Sequence, residues 1–520
     1  MVTYINEPFP NAGNKPHLNL IREELADFFK AADIAVRLNN PDRVIKYVDG
    51  DYDPPAGGLP DNHCYPCWYN GHGIDIGKLH KGYWMPVKPG WHYGCGEYGT
   101  EGLESMDMMM KYYPGNWLPK SKDKEKEWSP DSIIRAQTGK FHFMFYDTPD
   151  TLEEWVEKSQ EYQAWATKIM TEAFRRDSRM NTFAIHLFID AFPSGWMKAI
   201  MDTERKPKKA CFAYREALTP LMVNLRTDRF KYFSGEDVKL EAWICNDKNE
   251  IPGNTRIKYM VEKDGEMLFA QSEKADIPRC SSKFQGFIYF KSPQVHNRCK
   301  LTVRIGLVDE QDKVLHDSSI DLEVFNKDYI LKGKSVVVLG GAKAKILAEE
   351  LAVNIVELED ADRDTTFLVD DYNLYGQNEN KILSKVKNGA NLVFLELPSG
   401  EYEFGGSKVS IKACGMLPVH FVSGKTRHQL VEGFCESDFR LWFDPKYDYI
   451  TPLLETTFTA ESFLPVLTSA NTGLHGQWQV QLAAGEKEMG EGLIRICQIK
   501  LSGRISTNPA AFNFAQRLIL

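Results

Sequence analysis

Two glutamates are the residues of this sequence whose positions could support catalysis. Glu7 lies in Asn6-Glu7-Pro8, and Glu97 lies in Gly96-Glu97-Tyr98-Gly99. Each ends a run that we predict to be a β-strand of a strand-and-helix fold, and such folds place active sites at the carboxyl ends of their strands. Burial and mutual repulsion separate the pKa values of two neighbouring carboxyl groups, so one can donate a proton while the other stays an anionic nucleophile. The sequence therefore predicts a two-carboxylate site of the kind that cleaves glycosidic bonds.

The simpler interpretation of either glutamate is a surface charge or an ion-pair partner, because glutamates are rarely buried. Many of the 11 tryptophans and other aromatic residues lie in the first 200 residues, beside carboxylates, amides and histidines. Such a mixture suits sugar binding, although most of these rings are equally explained as core residues. Composition alone therefore leaves both interpretations open.

The composition describes a globular protein of several domains and excludes two classes of function. The chain has 520 residues, of which 43% are hydrophobic and 26% charged, and this length fits about three domains. A net charge of -9 gives no basic surface for nucleic acid. No apolar run reaches the roughly 18 residues of a membrane helix. The first residues lack the pattern of a secretory signal, so the compartment stays open.

Hydrophobic patterning divides the chain into three predicted domains. Residues 1–230 alternate short strands with helices, which is typical of parallel βαβ units. About five units are visible where a closed (β/α)8 barrel has eight, so we predict a partial TIM barrel of about strands four to eight. Residues 231–327 alternate polar and apolar positions around the turn Asp264-Gly265 and predict an Ig-like β-sandwich. Residues 328–520 predict a doubly wound α/β domain, flavodoxin-like or amidotransferase-like.

The periodicity also predicts individual elements. Strands are expected at residues 1–6, 43–48, 63–69, 91–96, 182–188, 335–339, 366–369, 391–395 and 493–501. Helices are expected at residues 18–36, 151–174, 206–218 and 381–386, with a last helix after residue 508. The long helix is marked by the capping box Thr151-x-x-Glu154.

The cysteines and histidines form weaker candidate sites. Cys64 and Cys67 flank Tyr65-Pro66 with no strand-to-helix start behind them, so we interpret both as incidental thiols. Cys414 has no nucleophile-elbow context and is expected to be buried. Four histidines between residues 63 and 92 lack the ligand spacing of a zinc site. We therefore predict no metal.

Two further motifs are interpreted as structural. Gly340-Gly341 precedes a helix but lacks the GxGxxG spacing of a dinucleotide loop, so we predict no cofactor. Glu101 and Glu104 closely follow Glu97, and we interpret them as helix-start charges that the helix dipole favours.

The two glutamate motifs together resemble glycoside hydrolase family 2, which contains β-galactosidases and β-glucuronidases. In that family an Asn-Glu pair ends the fourth barrel strand and a Glu-Tyr-Gly run ends the seventh. The separation of 90 residues between the two glutamates suits three intervening βα units of about 30 residues each. Further segments agree in order, at residues 42–44, 63–69, 186–190, 193–196, 206–210 and 218–221. The resemblance covers the whole chain.

This resemblance implies a β-galactosidase-like retaining β-glycosidase that acts by double displacement. Glu97 would be the nucleophile and Glu7 the general acid and base. Asn6 would bind a sugar hydroxyl near the anomeric carbon, Tyr65 would steady the nucleophile, and Trp196 would be a stacking wall. The implied substrate-binding residues are Asn6, His63, Tyr65, His186 and Trp196.

The resemblance begins at the family's fourth barrel strand. We therefore expect two bare strand edges, with the apolar residues Val2, Tyr4, Phe183 and Ile185 pointing inward and exposed unless something covers them. This predicts self-association or a partner that covers the open half barrel, and weak or absent hydrolysis. The rival interpretations are a non-catalytic carbohydrate-binding or assembly remnant and one half of a split glycosidase. The sequence does not disclose which glycoside would be the substrate.

Overall fold

The computed structural model describes residues 1–8, 21–50, 52, 59–70, 72–85, 88–470 and 479–520. A search of these residues finds no helix that combines the length and the apolar character needed to cross a membrane. Three assemblies of secondary structure follow one another along the chain.

The first assembly carries both glutamates. Its strands are β1 (Val2–Asn6), β2 (Ile45–Asp49), β3 (Tyr93–Tyr98) and β4 (Met180–Ile185). Its helices are α1 (Arg22–Asn39), α2 (Ile76–Lys81), α3 (Met106–Tyr112), α4 (Thr138–Phe141), α5 (Leu152–Arg176) and α6 (Lys209–Ala217). β1 pairs in parallel with β2, and β3 pairs in parallel with β4, as the predicted βαβ alternation requires. Of the predicted helix 18–36, residues 18–20 lie outside the described residues.

An extended segment, residues 60–64, joins the two strand pairs. The Cys64 amide donates to the Glu97 carbonyl at 2.9 Å, which aligns the segment with β3. The Asp61 carboxylate accepts a hydrogen bond of 2.8 Å from the Gly50 amide, just beyond β2. The ends of β2 and β3 are thereby held next to each other.

The strand predicted at residues 63–69 is wrong beyond its first residues. Pro66 has no N–H to donate, and the amides of Trp68 and Tyr69 both donate to the Tyr65 carbonyl, at 3.0 and 2.9 Å. The chain therefore turns immediately after Tyr65. This turn keeps His63 and Tyr65 at the end of the extended segment instead of in the middle of a strand.

Helix α1 covers the β1–β2 pair with one face and leaves an apolar flank open. Phe29 stacks on Tyr47 of β2 at 5.1 Å between ring centroids, whereas Phe28 meets Tyr4 of β1. The open flank therefore lies on the β1 side of the helix. It consists of Phe28, Ala31, Ala35 and Leu38, which recur at helical spacing and are all exposed. Within the described residues, β1 pairs only with β2 and β4 only with β3.

The inward orientation predicted for Tyr4 and Phe183 is wrong. The Tyr4 hydroxyl donates to Asp33 of α1 at 2.7 Å, and Phe183 packs against Phe174 of α5. Both rings therefore point toward the covering helices, because aromatic rings gain more by packing against a helix than by lining a polar interior. Val2 and Ile185 are half-buried.

Helix α5 begins at the predicted cap. The Thr151 hydroxyl accepts a hydrogen bond of 3.2 Å from the Glu154 amide, which satisfies one of the free N–H groups of the first turn. The Glu154 carboxylate accepts from the Asp150 amide at 2.8 Å, one residue before the position that a capping box requires. The helix continues to Arg176, two residues past the predicted end.

The second assembly consists of two mostly antiparallel sheets that share one apolar core. Its strands are β5 (Leu221–Arg226), β6 (Lys231–Phe233), β7 (Asp237–Asn246), β8 (Arg256–Lys263), β9 (Glu266–Lys274), β10 (Ser281–Lys291), β11 (Arg298–Val308) and β12 (Val314–Phe325). One sheet has the order β10-β7-β5 and the other β6-β12-β11-β8-β9. Asp264 and Gly265 join β8 to β9 with φ of 52° and 83°, the signature of the predicted type I′ hairpin turn.

The third assembly contains a large mixed sheet, a separate antiparallel pair of short strands, and helices. Its strands are β13 (Ser335–Leu339), β14 (Asn354–Ile355), β15 (Thr366–Val369), β16 (Asn391–Leu395), β17 (Gly400–Phe404), β18 (Ser407–Ala413), β19 (Phe443–Asp444), β20 (Tyr449–Ile450), β21 (Thr456–Thr459), β22 (Leu464–Ala470), β23 (Val480–Met489) and β24 (Gly492–Cys497). Its helices are α7 (Ala342–Glu350), α8 (Tyr372–Lys387) and α9 (Pro509–Ile519). The predicted strands 335–339, 366–369 and 391–395 are confirmed.

The sheet of the third assembly has a parallel and an antiparallel part. The parallel part runs β14-β13-β15-β16-β24, which is the 2-1-3-4-5 order of flavodoxin-like doubly wound sheets. Beyond β24 the sheet continues through β23, β21, β18 and β17 as antiparallel strands. This antiparallel extension is not predicted by the sequence pattern.

The first and third assemblies share one apolar core. A single cluster of buried side chains contains Trp155 and Met170 of α5 together with Leu453 and Phe514 of the third assembly. At its border the Arg440 guanidinium lies 4.0 Å from the ring centroid of Trp165. The part of the chain that bears Glu7 and Glu97 is therefore buttressed by residues more than 200 positions away in sequence.

Candidate active site

The fold brings the two predicted catalytic glutamates together. Glu7 directly follows β1, and its amide donates to the Asp49 carbonyl at 2.8 Å. Its φ of 44° turns the chain out of the strand in a conformation that non-glycine residues seldom adopt. Glu97 lies near the end of β3. One carboxylate oxygen of Glu7 and one of Glu97 lie within 4.8 Å of each other.

His63 lies between the two carboxylates. Its Nδ1 is 2.7 Å from Glu7 Oε1 and 3.3 Å from Glu97 Oε2, and its side chain is fully buried. Burial alone would lower the pKa of His63, but the carboxylates of Asp49 and Glu7 outweigh it and raise that pKa to about 10. A charged His63 donates its Nδ1–H to Glu7, and this hydrogen bond lowers the pKa of Glu7.

A second layer of charges lies beneath His63. The Lys46 ammonium donates to Asp49 at 2.6 Å and to the fully buried Asp61 at 2.9 Å. Asp49 Oδ1 lies 3.8 Å from His63 Nε2. Burial works to raise the pKa of Asp49, but His63 and Lys46 lower it to about 2. This layer was not predicted from the sequence, although Asp49 ends a predicted strand just as Glu7 does.

Two glycines permit this close packing. Gly50 has φ of 89°, and a side-chain carbon there would lie 2.6 Å from the His63 ring. A side-chain carbon at Gly96 would lie 1.5 Å from Asp49 Oδ1. Any larger residue at either position would displace the charged groups under the two glutamates.

Tyr65 contacts Glu97 as the sequence analysis expected. The Tyr65 hydroxyl donates to Glu97 Oε2 at 2.7 Å. Burial of the ring and the nearby charge of Glu97 raise the pKa of Tyr65 far above its usual value. Tyr65 therefore remains a hydrogen-bond donor to Glu97 across the usable pH range.

The other predicted site residues line the same region at different depths. The His186 ring meets Trp196 edge to face, with 5.4 Å between the centroids, and burial lowers the pKa of His186. Trp196 is 50% exposed, and its amide donates to Asp190 at 2.8 Å. Asn6 is exposed at the end of β1, beside Glu7. Trp196 is thus the exposed aromatic face of this region, whereas His63 and Tyr65 are buried.

Lys198 is a second residue that sequence reasoning missed. Its ammonium donates to the Tyr69 hydroxyl at 2.6 Å and lies 5.1 Å from the Tyr65 ring centroid. Only 2% of the residue is exposed. Its position two residues after Trp196 was the available signal, because neighbouring residues of one loop tend to share a site.

The interpretation of Glu101 and Glu104 as helix-start charges is wrong. Helix α3 begins later, capped by the Ser105 hydroxyl, and both glutamates are buried. Glu101 accepts a hydrogen bond of 2.9 Å from the Thr138 hydroxyl. Glu104 accepts one of 3.2 Å from the Ser194 amide. Both carboxylates therefore hold neighbouring segments of the chain in place behind the site through hydrogen bonds.

The side chains of Glu7, His63 and Glu97 are of types that bind metals, and their ligand-type atoms lie within 4.8 Å of one another. The contact of 2.7 Å between His63 Nδ1 and Glu7 is the length of a charge-assisted hydrogen bond. We therefore interpret the group as a hydrogen-bonded ion triad.

Cys64, Cys67 and Cys414 are all buried free thiols, as expected.

The raised pKa of His63 predicts a pH-dependent stability. The folded protein holds this proton up to about pH 10, whereas an unfolded histidine loses it near pH 6.5. The resulting stabilisation is complete below pH 6.5 and is lost as the pH rises through 10. The free energy of unfolding of the wild type minus that of His63→Gln should therefore fall by several kcal/mol over this range.

Urea denaturation of both proteins at pH 6, 8 and 10 measures this difference. His92→Gln, which removes an exposed imidazole, controls for loss of a histidine elsewhere. A difference that stays constant with pH would contradict a charged His63.

Comparison with known proteins gives distant structural likenesses only. No protein-family model matches the chain, and no curated protein matches it. A β-D-mannosidase from Dictyoglomus thermophilum is 17% identical with a TM-score of 0.42, covering 61% of this chain and 38% of its own. An exo-chitosanase from Amycolatopsis orientalis is 12% identical with a TM-score of 0.37, covering 88% and 49%. A β-glucuronidase from Bacteroides uniformis is 12% identical with a TM-score of 0.25, covering 64% and 35%.

These neighbours are glycosidases. The chain spans about half or less of the length of each of them. At TM-scores below 0.5 the likeness carries no inference about activity, so the function of this chain has to be argued from Glu7, Glu97 and their surroundings.

Proposed function

We propose that this chain carries the active site of a retaining β-glycosidase of the β-galactosidase-like kind. Glu97 attacks the anomeric carbon while Glu7 protonates the departing oxygen, and the bond between that carbon and oxygen breaks. Glu7, now a carboxylate, then takes a proton from water, which attacks the same carbon and releases Glu97. Tyr65 and His63 both contact Oε2 of Glu97, so we assign the attack to Oε1.

The spacing of the two carboxylates carries this proposal. Retaining glycosidases hold their carboxyl groups about 5 to 5.5 Å apart, whereas inverting ones need about 6.5 to 9.5 Å to admit water. One oxygen of Glu7 lies within 4.8 Å of one oxygen of Glu97, so the two carboxylates are close enough for the retaining arrangement. Trp196, half exposed on the same surface, would stack on the sugar ring.

We propose that β1, β2, the segment 60–64, β3 and β4 are strands four to eight of a (β/α)8-type barrel. The parallel pairing and the meeting of their ends at the site support this assignment. The predicted boundaries at residues 230 and 327, the Ig-like character of the second assembly and the doubly wound character of the third are part of the same proposal. Among the described residues no further strand pairs with β1 or β4, and these edges together with the apolar flank of α1 favour self-association or a covering partner.

The lowered pKa of Glu7 predicts how the rate depends on the leaving group. A poor leaving group such as methanol needs a protonated Glu7, so its release should accelerate as the pH falls from 7 toward the pKa of Glu7. A dinitrophenolate leaves without protonation and should show no such rise. Glu7→Gln should lower the kcat/KM of methyl glycosides by roughly 100-fold or more and that of dinitrophenyl glycosides by less than about tenfold, because kcat/KM covers the steps up to the covalent intermediate and leaves out the later attack of water.

A panel of β-galactosides, β-glucuronides, β-mannosides and β-glucosides, each with both leaving groups, makes this measurement. Equal slowing of both leaving groups in Glu7→Gln would contradict the acid role of Glu7. The same panel tests the rival function, a non-catalytic carbohydrate-binding or assembly remnant. If the protein hydrolyses no substrate of the panel but still binds sugar, that rival function is favoured. Hydrolysis that arises only on mixing with a second polypeptide would identify half of a split glycosidase.

A further inference from the structure

A buried lysine lies behind the catalytic surface without an ion-pair partner among the described residues. Lys198 is 2% exposed, and in the described part of the chain the only side-chain acceptor of its ammonium is the Tyr69 hydroxyl, at 2.6 Å. Three aromatic rings surround this charge. Their centroids lie 4.5 Å (Tyr69), 5.0 Å (Trp196) and 5.1 Å (Tyr65) from Nζ. Attraction between a cation and aromatic faces is strongest in such desolvated places.

Two of these rings belong to the proposed catalytic machinery. Tyr65 donates to Glu97, and Trp196 is the exposed aromatic face of the site. The backbone of Lys198 is itself fixed, because its carbonyl accepts a hydrogen bond of 3.0 Å from Gln163 of α5. A charge anchored in this way sets the orientation of both rings.

We propose that Lys198 is a positioning residue, whose caged ammonium orients Tyr65 toward Glu97 and Trp196 toward the sugar. This inference rests on the proposed glycosidase function and extends it. Lys198 does not touch the substrate, because the three rings and the Tyr69 hydroxyl enclose it. Loss of its proton should loosen both rings at once.

The surroundings of Lys198 make its charge sensitive to pH in the alkaline range. Burial lowers its pKa to about 8, while the carboxylates of Glu101, Glu97 and Glu7 act in the opposite direction. His186 also faces this charge, and Lys198 helps to lower the pKa of that histidine. The tyrosines of the cage keep their protons throughout, because burial raises the pKa of both.

The first test follows the cage without using activity. The fluorescence difference between the wild type and Trp196→Phe isolates the emission of Trp196, which should titrate with a midpoint near pH 8. In Lys198→Met this titration should vanish. A Trp196 signal that does not titrate in the wild type would overturn the proposal.

The second test asks whether the cage matters for catalysis. The kcat/KM of an activated aryl glycoside should fall above pH 8 in the wild type. In Lys198→Arg this fall should move above about pH 10, because arginine stays charged. In Lys198→Met the kcat/KM should be lower by roughly tenfold to 100-fold, and it should show no fall near pH 8.

Lys208→Met is the matched control. Lys208 is equally buried, and its ammonium donates to the carbonyls of Gly102 at 2.7 Å and of Met197 at 3.1 Å, but to no side chain of the cage. This variant should keep the alkaline fall at pH 8. An unmoved fall in both Lys198 variants would overturn the positioning role. A wild type that hydrolyses nothing while Trp196 titrates would instead refute the glycosidase function, and with it any catalytic role of the cage.

Discussion

Glu97→Gly should lower the rate of hydrolysis of a dinitrophenyl β-glycoside roughly 10⁴-fold, which corresponds to about 5 kcal/mol of transition-state stabilisation. The variant has no nucleophile, so the covalent intermediate cannot form. Azide should restore turnover by entering the space that the side chain leaves. Because azide then displaces the leaving group in a single step, the product should be the α-glycosyl azide. Product analysis by NMR distinguishes the two anomers.

Glu7→Gly provides the complementary result. Its glycosyl–Glu97 intermediate still forms from an activated substrate, and azide then attacks that intermediate from the opposite face to give the β-glycosyl azide. Glu127→Gly, which removes an exposed glutamate, should leave the rate unchanged. If the α-azide came from Glu7→Gly and the β-azide from Glu97→Gly, the two roles would have to be exchanged.

Asp61→Ala should destabilise the protein by about 4 kcal/mol. The Asp61 carboxylate is fully buried and accepts hydrogen bonds from Lys46 at 2.9 Å, from the Gly50 amide at 2.8 Å and from the Gly96 amide at 3.1 Å. Its removal leaves a buried ammonium with one counter-charge less and two buried amides without their acceptor. It also removes the link that holds the end of β2 beside β3.

Urea denaturation measures this loss. Asp61→Asn keeps an oxygen for the amides but lacks the charge, so it should fall between the wild type and the alanine variant. Asp237→Ala removes a carboxylate that is 80% exposed and should change the free energy of unfolding by less than about 0.5 kcal/mol. A loss below about 1 kcal/mol in Asp61→Ala would mean that Lys46 is satisfied without Asp61.

The local pattern of polar and apolar residues was sufficient to predict the strand ends that carry Glu7 and Glu97. A short apolar run that stops at a polar residue already fixes where a strand ends, and the parallel order of the sheet then brings such ends together. The turn at Asp264-Gly265 was predictable for a similar reason, because both residues tolerate positive φ. These features depend on a few neighbouring residues.

The charged layer under the site depends on contacts that are distant in sequence. His63 reaches Glu7 across 56 residues, and Lys46 reaches Asp61 across 15. Such pairs follow from the register between the segment 60–64 and its neighbours, which periodicity does not encode. The prediction that Tyr4 and Phe183 point inward was wrong for a related reason. Alternation of polar and apolar residues shows that the two faces of a strand differ, but it does not show which face a helix covers.

The apolar core that the first and third assemblies share has a consequence for cooperativity. Trp155 and Met170 of α5 pack in one cluster with Leu453 and Phe514, so these two regions should unfold in a single transition although the second assembly separates them along the chain. The second assembly has its own core, and Phe233 of its strand β6 also packs in the shared cluster. A truncated protein that ends before β5 would expose one side of α5 to water. Dissection of this protein should therefore keep its first and last thirds together.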